Sequence, residues 1–151
     1  MIEMEEVVDK ALAHFKEGYA CSETILLSFA ESNYIRSEVI PKIASGFGGG
    51  VARMGSICGA LTGAIMAIGL KYGRNNANDK EAYELCLKKS SKCCKKFEQE
   101  FGSILCFDLI NCDLLTSKGR YNYRKLGLKE EKCSNYEESC GNCAEFNRGV
   151  T

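Results

Sequence analysis

Ten cysteines in 151 residues are the groups here that can do chemistry. They are Cys21, Cys58, Cys86, Cys93, Cys94, Cys106, Cys112, Cys133, Cys140 and Cys143. A thiolate is both a nucleophile and a soft-metal ligand. Cys58 opens the segment Cys58-Gly59-Ala60-Leu61-Thr62-Gly63, shortly after Ser45-Gly46-Phe47-Gly48-Gly49-Gly50-Val51. The first N–H groups of a helix lack internal partners and favour negative charge. A thiol near such a start is expected to ionise below the usual thiol range. Gly48, Gly49, Gly50 and Gly59 would let backbone amides approach a sulfur or an inorganic sulfide as an anion-binding nest. Such a loop also suits phosphate, but the Gly-Lys-Ser/Thr ending of a P-loop is missing. Alone, Cys58 reads as a small buried hydrophobe. Its neighbours in the pattern weigh against that. Cys21 precedes a helix, Cys106 falls in a tight helical turn, and Cys133 precedes the last helix.

The other six cysteines sort by geometry. Cys86 and Cys93 share a helix face but stand about 10 Å apart, too far for one ion. Cys93 and Cys94 are adjacent and point about 100° apart. These three read as packing or surface thiols. Cys140 and Cys143 are three residues apart and share a helix face. That spacing suits a metal pair or a redox dithiol, with Cys133 and Cys112 as further members of a second thiolate site. His14, the one histidine, reads as a surface or packing residue. Its solitude excludes multi-histidine zinc sites. Arg53 and Tyr19 flank the proposed site and are candidates for orienting a ligand. No Ser-His-Asp arrangement and no paired carboxylates suggest hydrolysis.

The elements that must position these groups are helical. Apolar residues at Met4, Val7, Val8, Leu12 and Phe15 define a helix over 3–16, stopped by Gly18. Ser22 is the expected N-cap of a second helix over 23–32. Residues 37–44 read as a short third helix. A fourth, 57–72, starts at Ser56 and is closed by Gly73. It carries Gly59, Gly63 and Ala67 as a small-residue stripe that lets a neighbour come close. Asn78 and Asp79 open a fifth helix through Glu100, ended by Gly102. Further helices are expected to Leu126 and from Ser134 to Phe146. No stretch alternates like a strand. The expected fold is all-α, a bundle of five to seven helices around a central small-residue-rich helix, in one domain over 1–151.

Lysine plus arginine equals aspartate plus glutamate, 20 each. A neutral chain has no bulk attraction to nucleic acid or an anionic membrane. The apolar run 57–70 is shorter than the roughly 20 residues of a membrane span, so no membrane insertion is expected. Lys88, Lys89, Lys92, Lys95 and Lys96 read as a solvated basic face. The acidic start lacks a signal peptide's basic, apolar pattern, so a reducing cytoplasm is the expected setting. There, cysteine serves more often as a ligand or redox group than as a structural disulfide.

Five stretches carry a family resemblance: Tyr19-Ala20-Cys21-Ser22-Glu23, Gly46-Phe47-Gly48-Gly49-Gly50, Cys58-Gly59-Ala60-Leu61-Thr62-Gly63, Phe101-Gly102-Ser103-Ile104-Leu105-Cys106 and Lys132-Cys133. In this order, they resemble the C_GCAxxG_C_C family of redox-active proteins. The resemblance implies a site of Cys21, Cys58, Cys106 and Cys133. A similar segment accompanies haem domains in multi-domain redox proteins, with its four cysteines tied to an iron–sulfur centre. Cys-x-x-Cys-His is absent, so no covalent haem is expected. Three readings follow: a [2Fe–2S] or [4Fe–4S] electron-transfer protein, a metal-free thiol–disulfide protein or sensor in which Cys58 attacks, and a non-catalytic zinc or copper binder. Family members are often encoded beside transporter genes, which implies a redox role linked to transport. The redox partner protein is not identified by the sequence, and a homodimer through an exposed apolar helix face is a further expectation.

Overall fold

Val7, Val8, Ala11 and Phe15 recur three and four residues apart and are all buried, which makes α1 (Met4–Glu17) an amphipathic helix. In this computed structural model, residues 4–146 are described. Gly18, at φ +111°, ends α1 with a backbone angle that a side chain would oppose. α2 (Cys21–Ser32) begins earlier than expected. Its N-cap is Ala20, whose N–H donates to Glu23 Oε1 at 2.8 Å. Ser22 lies inside the helix, and its hydroxyl donates to the Ala44 carbonyl at 2.7 Å. Cys21 is thus the first residue of α2.

The expected helix at 37–44 does not form. Turns lead into a 3-10 segment, Lys42–Phe47. Pro41 has no N–H to donate and disfavours helical geometry at Ile40, so the helix is interrupted in its middle.

α3 (Gly59–Tyr72) is the central helix, in contact with α2, α4 (Lys80–Phe101) and α7 (Ser134–Phe146). Its small-residue stripe works as expected at Gly63. A Cβ there would come within 2.6 Å of the Ser22 carbonyl oxygen, so α2 and α3 approach at backbone distance. Leu61 and Ile68 of α3 share one buried cluster with Ile25, Phe29 and Phe97. Asp79 caps α4 by accepting the Ala82 N–H at 3.1 Å, and Gly102 ends it at φ +86°. α5 (Cys106–Ile110) is a single short turn. α6 (Ser117–Lys125) is capped by Thr116, which accepts the Gly119 N–H at 2.9 Å. A π-helical turn, Lys129–Cys133, runs directly into α7.

Among the described residues the fold is all-α, with only an isolated bridge between Ile57 and Leu105. No helix among them is long and apolar enough to cross a membrane. The basic face of α4 is solvated at Lys88, Lys92, Lys95 and Lys96, whereas Lys89 is buried with its Nζ 4.5 Å from the Tyr72 ring centre.

Candidate functional site

Segments 55–58 and 104–107 run against each other as a minimal antiparallel pair. Cys58 N–H donates to the Ile104 carbonyl at 2.8 Å, and Cys106 N–H to the Ser56 carbonyl at 2.7 Å. Ile57 and Leu105 are the bridged residues. Side chains alternate along extended backbone, so Cys58 and Cys106, each one residue on, share the opposite face. This pairing uses the residues expected to start α3. The helix begins at Gly59, and Cys58 is its N-cap rather than its second or third residue.

The glycine loop packs behind this pair. Residues 49 to 53 all have positive φ: Gly49 at 70°, Gly50 at 73°, Val51 at 63°, Ala52 at 51° and Arg53 at 66°. Three of them carry side chains that resist this conformation. Hydrogen bonds hold the run, including Ala52 N–H to Gly46 O and Ser56 N–H to Gly50 O, both at 2.8 Å. A Cβ on Gly50 would come within 2.7 Å of Cys106 Cβ, and a Cβ on Gly59 would collide with Cys21 Sγ. A cysteine presses on each of these glycines, and the Ser56 backbone presses as closely on Gly50. Gly48 lies against the Ala20 methyl group, and the Gly49 N–H favours a negative charge on Cys21.

Cys21, Cys58, Cys106 and Cys133 line one cavity, together with Gly59, Ala60, Leu109, Ile110 and Tyr136. Its volume of about 20 Å³ is room for one water-sized atom. Among the described residues, no three His, Cys, Asp or Glu side chains are arranged to hold a single metal ion. Cys133 departs from expectation in its local setting. It sits inside a continuous helical stretch, at the join of the π turn and α7, not before a helix. Such turns re-aim side chains and recur at functional sites. The Tyr123 hydroxyl donates to Cys133 Sγ at 3.3 Å.

The expectation of an acidic Cys58 thiol is overturned. Burial drives it well above the ordinary thiol value, and charge on Cys21 adds to the rise. The Ala60 and Leu61 amides pull the other way, but the sulfur makes no well-formed cap hydrogen bond with them. Desolvation outweighs the helix start. Burial likewise pushes Cys21 up to about 12, Cys106 to about 12 and Cys133 to about 11. For Cys21 the next cause is Glu137, and for Cys133 the Tyr123 hydrogen bond opposes the rise.

Glu137 is the residue that sequence reading missed. It is fully buried on α7, and its Oε1 has no hydrogen-bond partner. Thr24 Oγ1 lies 2.6 Å from Glu137 Oε2 and 2.8 Å from the Cys21 carbonyl oxygen. A hydroxyl has one proton, and a carbonyl only accepts. Both contacts are hydrogen bonds when Thr24 donates to Cys21 and a protonated Glu137 donates to Thr24. Burial raises Glu137 well above the carboxylate range, against the pull of Thr24 and Lys129, which agrees with a neutral acid. A signal was present: Glu137 follows Cys133 by four residues, which places both on one helix face.

The remaining cysteines do not form the expected C-terminal site. Cys140 is buried, and its thiol is raised by burial and then by charge on Cys58, Glu137 and Cys21. Cys112 is buried near Cys106, whose ionisation it opposes. Cys143 pairs instead with Cys93 of α4 in a disulfide. Cys86 and Cys94 pack against the core. Tyr19 stacks edge-on against His14, Arg53 is exposed, and neither lines the cavity. His14 Nε2 meets Glu31 Oε2 at 3.0 Å, away from the thiols.

Comparison with known proteins adds a family to this geometry. The family described as "Putative redox-active protein (C_GCAxxG_C_C)" matches residues 19–148. A protein of Archaeoglobus fulgidus, described as an "Uncharacterized protein", is 31% identical over 128 residues, covering 80% of this chain and 85% of that one. No solved structure matches. With the match running from before Cys21 to beyond Cys143, this chain belongs to the C_GCAxxG_C_C family.

Proposed function

We propose that the protein transfers electrons through an iron–sulfur cluster held by Cys21, Cys58, Cys106 and Cys133. The observation that carries this reading is that thiols from four separate stretches line one largely apolar cavity. The donor set fits a cluster in kind, because both [2Fe–2S] and [4Fe–4S] clusters take four thiolates. When bound, such a cluster supplies one-electron transfer. A cluster spreads its ligands around several iron atoms, so four cysteines need not meet at one point. A single zinc or copper ion does need that. At about 20 Å³ the cavity is tight, so loading requires the thiols to move outward. The five-residue α5, which carries Cys106, is the smallest element that would have to shift.

The chain's own groups have clear tasks. Leu109, Ile110 and Tyr136 keep water from the sulfurs. The Ala60 and Leu61 amides favour charge on Cys58, as the Gly49 amide does on Cys21. Glu137, held by burial above the carboxylate range, lies beside Cys21 and Cys133 and opposes their ionisation when it is charged. The metal-free reading is weaker, because a nucleophilic thiol must ionise and burial opposes that at Cys58. A bound cation reverses this penalty and releases the thiol protons.

The test is anaerobic reconstitution with iron and sulfide. The expected product is brown, with about two or four iron per chain and matching sulfide. Replacing any one of the four cysteines by serine should reduce that content. A colourless, iron-free product, or one that retains stoichiometric zinc instead, would refute the cluster.

A further inference from the structure

The sulfur pair on the seam between α4 and α7 lies outside the pocket. Cys93, 2% exposed, and half-buried Cys143 have Cα atoms 6.1 Å apart, within the range that a disulfide spans. Neither lines the four-cysteine cavity. We propose that Cys93 and Cys143 form a second redox site, a dithiol–disulfide pair that exchanges two electrons with low-molecular-weight thiols.

Three observations support reversible exchange over a fixed staple. α1, α2, α3, α4 and α7 pack around one buried core, and a domain of this size does not need a crosslink to fold. Cys143 is partly open to solvent, and exposed disulfides are the ones small thiols reach. A groove of about 260 Å³ lies on the same seam, walled by Glu100, Ser139 and Asn142, and Ser139 stands one helical turn before Cys143 on the same face. Of the two sulfurs, half-buried Cys143 is the one that a small disulfide meets first, while Cys93 is buried behind it.

The chemistry balances with a low-molecular-weight disulfide RSSR as oxidant. The Cys143 thiolate attacks one sulfur, the S–S bond of RSSR breaks, and the leaving thiolate takes up a proton as RSH. Cys93 then gives up its proton and attacks the Cys143 sulfur, which expels a second RSH. The pair loses two electrons and two protons, and both appear on the two released thiols. Excess RSH reverses each step. This cycle uses none of the pocket's cysteines, so it stands or falls apart from the cluster.

The full chain is equilibrated anaerobically at graded ratios of reduced to oxidised glutathione. Free thiols are trapped with iodoacetamide, and the protein is digested with trypsin. The sequence places Cys93 in a peptide over 93–95 and Cys143 in one over 133–148. Tandem mass spectrometry assigns the linked sulfurs, since Cys94, Cys133 and Cys140 share those peptides. The expected result is a Cys93–Cys143 link that rises from near zero to near complete. It should cost two free thiols and reopen with reductant in the folded protein. Cys143→Ser should abolish the link and leave iron uptake by the pocket unchanged. A link that never forms, that opens only after unfolding, or that persists undiminished in Cys143→Ser would overturn the proposal. Protein that stays iron-free after anaerobic reconstitution yet still cycles the link would sink the cluster reading alone.

Discussion

The pocket and the α4–α7 seam gather sulfurs by opposite means. In the pocket, main-chain bonds set the positions: Cys58 and Cys106 are fixed by N–H groups given to Ile104 and Ser56. Cys133 is aimed by a π turn. At the seam, Cys93 and Cys143 lie within helix bodies and meet only because α4 packs on α7. The first arrangement should be sensitive to an added Cβ and indifferent to distant side chains. The second should show the reverse.

The largest break is expected at the seam's support. Phe97 is 2% exposed, with its ring 4.8 Å from Phe101 and 5.8 Å from Tyr136, centre to centre. Phe97→Ala should cost about 3–5 kcal/mol in urea unfolding. It should also lower the fraction of Cys93–Cys143 link. A loss below about 1 kcal/mol would mean that side-chain packing does not hold the seam.

Next comes the pocket floor. Gly59→Ala sets a methyl group into Cys21 Sγ and should cost about 1–3 kcal/mol and abolish iron loading. A Cβ at Gly141 on α7 would meet Val8, closest at Cγ2 at 3.1 Å, with the Val8 backbone at ordinary contact distance. Gly141→Ala should stay within about 1 kcal/mol of the parent, since alanine also favours the helix. Equal effects at the two glycines would erase the contrast.

A smaller effect concerns pH. The folded value of Glu137 lies above its ordinary 4.5, so the folded chain holds a proton there that the unfolded chain releases. Its contribution is full below pH 4.5 and is lost as pH rises through the folded value. The pocket thiols, raised from 9.0, act the same way only above pH 9. As pH rises above 4.5 the metal-free protein should therefore lose stability until the folded value of Glu137 is passed, and Glu137→Gln should flatten the slope. An unchanged slope in thermal melts would contradict a neutral Glu137. The smallest effect belongs to Tyr123→Phe. Losing one hydrogen bond to sulfur should cost about 1 kcal/mol or less. It should also move Cys133 alkylation to higher pH, because that bond opposes the rise at Cys133.

These contrasts explain what could be read from the chain alone. α1 and α4 were legible because their apolar spacing, Gly18, Asp79 and Gly102 are local signals. The start of α3 was not, because residues 56–58 bond to 104–106, a segment beyond two helices. The Cys58 amides were legible, but the burial that overrides them is tertiary. Spacing misled at Cys140 and Cys143: on adjoining turns of one helix, the first feels the pocket and the second bonds to α4. Pro41 is a local signal too, and it outweighs the surrounding pattern that favours a helix at 37–44.

The bridge between Ile57 and Leu105 also bears on how the protein is made. Its two sides are separated by α3 and the 22 residues of α4, and the fourth cysteine comes later still. During synthesis, chain leaving the ribosome would carry Cys21 and Cys58 for most of that time with no partner segment to enclose them. The pocket closes only once residue 133 has emerged. Whatever fills it is therefore added after residue 133 has emerged rather than built around the earlier cysteines alone.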